Sequence, residues 1–420
     1  MPLFLKVKTA EEVFEILREI KPLDIETLPL EKARGRSLAA PVFAPEPVPH
    51  FARATMDGYA VRARDTFGAS ESLPAFLETA ESVSMGDHVS WRLEGGKAIA
   101  IPTGGMLPEG ADAVVMVEYT IPLDDRTIEV TRPVAPGDNV LREGEDIPLG
   151  EELFRAGWPL RPQDMGVLAA LGIKDVSVIR RPKVAVLSTG DEIVPVSTQS
   201  VPPGKIRDIN TYSLAAQMEE TGAEIGQTRW VQDDLGALIE ACREALATHD
   251  VLVLSGGSSV GVRDFTVRIL DAFPEAELLV HGVAIRPGKP TILARIGKKL
   301  FWGLPGQPVS AMMICKIFVL PSLLYLQGYC PDLPSTLQVE NACRAVLNRQ
   351  VPSVHGRIDY VPVVLSRGAE GIQATPVFGK SAMISILARS DGYIIIPEHV
   401  EGLDQGTEVT VHFFSCGRSV

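Results

Sequence analysis

The sequence predicts a multidomain α/β protein. A doubly wound, mostly parallel α/β domain is expected, with an inserted β-rich domain before it and a C-terminal β-barrel-like domain after it. Three patterns predict this. Between Pro182 and Gly328, short apolar, β-branched runs alternate with segments of helical spacing, as in a parallel sheet covered by crossover helices. From about Tyr59 to Val140, short strands are divided by Gly, Pro and Asp turns. After Pro331 the helical signal stops and short strands return.

The elements follow in order. Thr9-Ala-Glu-Glu12 is a capping-box pattern, and an amphipathic helix is expected to run to Ile20. Pro41 to Pro49 is too rich in proline for a helix or central strand, so a domain boundary is placed there. Tyr59–Ala63 and Ala113–Val117 are among the strands that follow. Arg161–Gly172 is a short helix ended by glycine. It is expected to pack back on the N-terminal helix, which would make the β domain an insertion. The resulting division is 1–45 with 147–180 as a discontinuous linking domain, 46–146 inserted, 181–330 α/β, and 331–420 C-terminal. Asn210–Thr221 and Asp234–Ala247 are the clearest helices. Thr336–Val339, Ile358–Leu365, Tyr393–Ile396 and Glu408–Phe414 are the expected last strands.

Composition narrows the functional classes. A chain of 420 residues is too long for one core and predicts two to four domains. The net charge of −13 argues against nonspecific nucleic-acid or membrane-surface binding, so neither is an expected partner. The five cysteines have no metal-knuckle or redox spacing, and two lie in apolar helical patterns, which points to a reducing cytoplasm. The N-terminus has no signal-peptide pattern. Ala311–Gln327 is the most membrane-like stretch, but Lys316 and Pro321 interrupt it, and a buried helix is expected.

Four loops carry the chemistry. Asp250–Ser255 is a buried-strand pattern, followed by the loop Gly256-Gly257-Ser-Ser, with Asp264 beside it, and by helical spacing from Phe265 to Phe273. A glycine loop between strand and helix gathers backbone N–H groups suited to phosphate. A carboxylate beside phosphate calls for a bridging cation, for which Mg²⁺ is the usual choice. Lys183–Glu192 repeats the strand, with Ser188, Gly190, Asp191 and Glu192 in its loop. Val283–Pro290 is a rigid turn with two cations, Arg286 and Lys289. Gly303–Ser310 is a small-residue loop, including Pro305 and Gly306, that opens a long helix. In an open α/β sheet such loops meet at the carboxyl ends of the strands. The combination predicts a magnesium-dependent site for a phosphorylated or pyrophosphate-bearing ligand. The bland alternative for the loop before Asp264 is a tight strand-to-helix turn with an acidic first helical turn.

Taken together, these motifs resemble the MoeA family of molybdopterin molybdenumtransferases, which includes the E domain of gephyrin. The resemblance spans nearly the whole chain. It rests on Ala54–Ala60, Ile101–Gly105 with Gly110–Val115, Arg142–Asp146, Ser188–Glu192, Ser255–Gly261, Pro287–Pro290 and Leu304–Ser310. It implies that adenylylated molybdopterin binds with Mg²⁺ and that molybdate, or tungstate, is the second substrate. The pyrophosphate link is cleaved, AMP leaves, and molybdenum enters the dithiolene. Implied catalytic residues are Asp264, Glu192, Asp57 and Asp234, with Asp264, Glu192 and Asp146 at the metal. Implied substrate contacts are Thr103, Ser188, Gly190, Ser255, Gly256, Gly257, Arg286, Lys289, Pro305, Gly306, Arg357 and Ser381.

Several of these residues have a second reading. Asp234 is also placed as a helix N-terminal acid, Asp57 as a hairpin residue, and Thr103 and Ser381 as turn formers. Arg357 is also read as a solvated strand arginine, and Glu145 competes with Asp146. Arg286 stands where lysine is common, Gln307 replaces the usual asparagine, and His281-Gly282 occupies a region where some members have a lysine. The resemblance further implies a homodimer whose site joins the α/β domain of one subunit to the C-terminal domain of the other. Transient contact with the upstream adenylyltransferase and with apo-molybdoenzymes is also expected. The alternatives are a molybdopterin adenylyltransferase, or a non-catalytic scaffold of the same fold.

Overall fold

The computed structural model describes residues 7–90, 92–256, 261–329, 341–368 and 371–414, with only the backbone described for 80–81 and 261–264. The expected strand Thr336–Val339 lies outside the described residues.

The N-terminal helix, Ala10–Arg18, begins at a capping box in which the Thr9 hydroxyl accepts the Glu12 N–H and the Glu12 carboxylate accepts the Thr9 N–H. The chain then runs outward and later returns along itself. Ile25–Pro29 pairs antiparallel with Asp175–Ile179, Val42–Phe43 with Glu152–Phe154, and Arg53–Ala54 with Val140–Leu141. Between these arms lies a mixed six-stranded sheet in the order 113–116, 58–61, 97–101, 75–82, 127–130, 120–122.

One expectation is corrected. Helix Pro162–Ala170 does not share its core with the N-terminal helix; it buries Leu168 among Ala33, Leu38, Val176 and Val178. The N-terminal helix instead buries Val13 and Leu17 in the α/β core, and Phe14 meets Phe318 at 5.1 Å. The reason is the helix it covers. Pro308–Leu326 is apolar all round and needs burial on every side, and 83% of its apolar window is buried. That helix is long and apolar enough to cross a membrane by composition, but here it is a core element. Pro321 cannot donate to the carbonyl of Ile317, and the turn before it, Cys315–Val319, widens to π geometry.

The central sheet has the order 224–231, 183–189, 251–256, 299–305, 292–296, 276–281. The first four in this order run parallel, 292–296 runs against them, and 276–281 runs antiparallel to 292–296. Alternation sorts the side chains. Val184, Val186, Val253 and Trp302 face helices Asn210–Glu219 and Pro308–Leu326, while Ala185, Leu187, Leu252 and Phe301 face Leu235–Thr248 and Gly261–Asp271. Full burial of a side chain such as Phe301 stabilises by roughly 1.5–3 kcal/mol.

The C-terminal unit is a closed five-stranded barrel. Ile358–Gly368 is long enough to pair with Gly371–Pro376 along one part and Gly392–Ile396 along another, and Ala342–Leu347 and Glu408–Phe413 complete the ring. Closure removes exposed edges, and Leu347, Val363, Ala374, Ile394 and Val411 fill the interior. The barrel is joined to the α/β layer by backbone pairing, because Ile285–Arg286 runs parallel to Ile358–Asp359.

Candidate functional site

In chain order, the second strand of the central sheet, 224–231, lies on one side of the first, 183–189, and the third, 251–256, on the other. Their crossover helices, Asn210–Glu219 and Leu235–Thr248, therefore cover opposite faces and leave a crevice between the carboxyl ends of 183–189 and 251–256. Ser188, Thr189 and Ser255 are buried there. The Ser188 hydroxyl donates to Asp208 at 2.9 Å and receives the Thr211 hydroxyl at 3.0 Å. The Thr189 hydroxyl donates to Asp233 at 2.7 Å. Asn210 Nδ2 donates to the Ser255 hydroxyl at 2.8 Å and the Gly306 carbonyl at 2.9 Å, while Ser255 donates to the Pro305 carbonyl at 3.3 Å. One asparagine thus ties two strand ends together, and its own Oδ1 is buried with no partner among the described residues.

Gly256 lies so close to the first strand that a Cβ on it would sit 2.1 Å from the Thr189 carbonyl oxygen. Gly190 holds φ at 153°, and a Cβ there would meet the Glu192 carboxylate at 2.8 Å. Glu192 itself is exposed. Gly257 lies outside the described residues. Asp264 sits in the first turn of helix Gly261–Asp271, with its side chain outside the description.

A second cluster forms at the seam between sheet and barrel. Arg286 is 63% exposed and lies 3.9 Å from the buried Asp359 carboxylate. Arg357 is two-thirds buried and binds the same carboxylate through Nε at 2.8 Å and Nη2 at 3.4 Å. It is therefore paired rather than solvated. The Val309 N–H, at the start of helix Pro308–Leu326, donates to the Ser381 carbonyl at 3.1 Å. Arg286, Pro287, Val309, Asp359, Ser381 and neighbouring barrel residues line a cleft of ≈ 170 Å³. Lys289 is exposed on the same turn. Arg286, Asp359 and Ser381 come together at this cleft within one chain, and Arg357 joins them through Asp359.

The other expected residues lie elsewhere. Asp57 accepts the Thr103 N–H at 2.6 Å and hydroxyl at 2.8 Å on the inserted sheet, and these two bonds, the backbone one first, hold its carboxyl below the usual range. Asp234 caps helix Leu235–Thr248 by accepting the Ala237 N–H at 2.8 Å, which is the local role foreseen as its alternative. Asp146 is exposed on the returning arm. Among the described residues, no group of three or more His, Cys, Asp or Glu is placed to hold a metal ion.

Sequence reasoning missed Asp208, Asn210, Thr211, Asp233 and Asp359. Asp208-Ile-Asn-Thr211 had a usable signal, since an Asp two residues before a helix-opening Asn is a capping pattern. Asp359 lies in an apolar strand, where a lone acid calls for a buried partner.

Comparison with known proteins places this architecture. Residues 6–172 match the MoeA N-terminal region (domains I and II), 185–325 match a probable molybdopterin binding domain, and 344–414 match the MoeA C-terminal region (domain IV). The class defined by its relatives is a transferase. The chain belongs to the MoeA family. It is 32% identical over 415 residues to the molybdopterin molybdenumtransferase of Bacillus subtilis, covering 97% of this chain and 95% of that one. It is 30% identical over 407 residues to the enzyme of that name from Staphylococcus aureus, covering 96% and 95%. A molybdopterin biosynthesis MoeA protein from Pyrococcus horikoshii superposes with a TM-score of 0.80 at 38% identity, covering 98% of this chain and all of that one.

Proposed function

We propose that this chain is a molybdopterin molybdenumtransferase. It takes molybdate and adenylylated molybdopterin, breaks the pyrophosphate link with release of AMP, and yields the molybdenum cofactor. The observation that carries the reading is the seam cleft. Arg286 and Arg357 share one buried carboxylate beside the first turn of helix Pro308–Leu326, next to strand ends tied by Asn210. Two guanidinium groups and a helix N-terminus favour an oxyanion. The Ser188 and Ser255 strand ends supply a crevice for the pyrophosphate-bearing substrate.

The donor set suits Mg²⁺ of the substrate-bridged kind. Such a site needs only one or two protein carboxylates, with phosphate oxygens and water completing the shell, so the absence of a three-carboxylate cluster among the described residues is compatible with it. Asp264 and Glu192 are the residues proposed to hold the ion, whose chemistry is to neutralise charge on the pyrophosphate. Asp208 and Asp233 have a different task, since each accepts a hydrogen bond from a buried hydroxyl and orients a loop. Arg286, Arg357 and Lys289 bind and orient the anions. Asp57, Thr103 and Asp146, on a separate part of the fold, are proposed to act on the substrate as well.

A homodimer in the cytoplasm, with transient contacts to the enzymes before and after it, completes the proposal. The test is direct. Purified protein is supplied with adenylylated molybdopterin, Mg²⁺ and molybdate, and AMP is measured; molybdate-dependent AMP release supports the reading. Adenylyl transfer from ATP to free molybdopterin, with no AMP release, would replace it with an adenylyltransferase.

A further inference from the structure

We propose that Trp230 is a stacking platform for a planar nitrogen heterocycle of the substrate, either its adenine or its pterin. The inference rests on the functional reading above and adds to it a specific ring contact. Trp230 closes the edge strand Glu224–Val231, and its register partner on the first strand is Ser188. The Trp230 backbone therefore stands one strand spacing, about 4.8 Å, from that of Ser188, to the side of the crevice where the pyrophosphate is placed, and the indole reaches back to Gly190 in the loop that follows Ser188. A base or pterin attached to that pyrophosphate has to leave the crevice on one side or the other, and Trp230 borders one of them.

Its chemistry suits the task. The side chain is part-buried and the residue 40% exposed, whereas Trp302 in the same sheet is fully buried. Its Nε1–H donates to the Gly190 carbonyl at 3.2 Å. The polar edge is thus satisfied by the protein, the ring orientation is fixed, and the π surface is what remains to offer. Among the described residues, no aromatic ring or cation is recorded against it. The connection that starts at Gly190 also carries exposed Val196 and Ile206, and exposed Tyr212 follows in the next helix. Apolar exposure thus accompanies the loop that bears Glu192.

A structural explanation competes with this one. The indole N–H could serve only to lock Gly190 and the Glu192 loop. The two roles separate with two substitutions. Trp230→Phe keeps an aromatic face and removes the N–H; Trp230→Ala removes both.

The experiment measures AMP and neopterin binding to the full-length protein by calorimetry, with tryptophan quenching as a second readout and thermal unfolding as a check on folding. Loss of a base–aromatic stack should raise the Kd of one probe about tenfold in Trp230→Ala, while Trp230→Phe stays within about threefold of wild type. Weakening of AMP alone assigns the ring to adenine, and of neopterin alone to pterin. Unchanged affinity for both probes in Trp230→Ala would overturn the proposal, as would a Trp230→Phe variant as weak as Trp230→Ala. A wild-type protein that binds neither probe overturns the proposal. If it also fails to release AMP in the assay above, the functional reading falls with it. AMP release that persists confines the failure to Trp230.

Discussion

Arg357 grips the buried carboxylate of Asp359 through two nitrogens, at 2.8 and 3.4 Å, and so belongs to the seam between barrel and sheet rather than to the barrel's outer surface. Among the described residues, Arg357→Ala would leave that carboxylate with Arg286, 3.9 Å away, as its remaining ion-pair partner. Losing these bonds should destabilise the protein by roughly 1–3 kcal/mol, read from denaturant unfolding. The KM for molybdate should rise as well. Arg357→Lys should recover part of the stability but less of the affinity, because an ammonium lacks the planar fork. Wild-type values for both quantities in Arg357→Ala would detach this pair from the site.

Complementation tests the proposed homodimer. If its sites are shared between subunits, mixed dimers of Asp264→Ala and Arg357→Ala should carry both lesions in one site and none in the other. Co-folding the two inactive variants should then restore about a quarter of wild-type AMP release, as random pairing gives. No recovery, with mixed dimers confirmed by differential tagging, would show that each subunit carries its own complete site.

Gly256→Ala places a methyl group 2.1 Å from the Thr189 carbonyl, and a backbone atom in mid-sheet has little room to retreat. A cost of about 1–3 kcal/mol is expected from overpacking. Displacement of Thr189 should also lower AMP release in protein that remains folded. A crystal structure with unmoved strand ends and full activity would contradict this.

Acid stability should depend on Asp250. Burial raises its carboxyl, but the hydrogen bonds from Arg180 and from the Lys183 N–H, with the positive charges of Arg180 and Lys299, outweigh burial and hold it below its ordinary value of 3.8. A depressed folded-state pKa contributes stability that is present above the unfolded value and is lost as pH falls through the folded one. The Tm advantage of wild type over Asp250→Asn should therefore persist from neutral pH down to about 4 and shrink below it. A difference that stays constant through that acid range would exclude the linkage.

Gln307 occupies the N-cap of helix Pro308–Leu326 without making a side-chain cap bond. Gln307→Asn should supply one and stabilise the helix start by about 0.5–1 kcal/mol. The check is the unfolding midpoint, which should rise. A fall would mean that Gln307 has a contact more valuable than the cap.

Much of this was legible beforehand, for identifiable reasons. Alternation between strand and helix patterns from Pro182 to Gly328 marks a covered parallel sheet, and the observed sheet sorts Val186 and Leu187 to opposite faces as that pattern requires. The capping box at Thr9 is local and was found where expected. Long-range partners were less visible. Nothing local distinguishes whether the N-terminal helix covers Leu168 or Phe318, because Val13 and Leu17 would suit either surface. Ser188 and Ser255 were noticed as loop residues, but Asn210, which ties Ser255 to Gly306, had to be brought in by the fold from 45 residues away. For Arg357 the solvated alternative stayed open because its acid is two positions on, a spacing that in a regular strand shares a face but does not announce burial.

The backbone pairing of Ile285–Arg286 with Ile358–Asp359 has a practical corollary for recombination. A swap that exchanges only the residues after 341 between relatives would import a barrel whose long strand expects a foreign ladder partner. A graft that includes the 282–290 turn would carry the matching hydrogen-bond register, together with Arg286, into the recipient. The modular unit of this fold, in the sense of what can be exchanged intact, is therefore discontinuous in sequence.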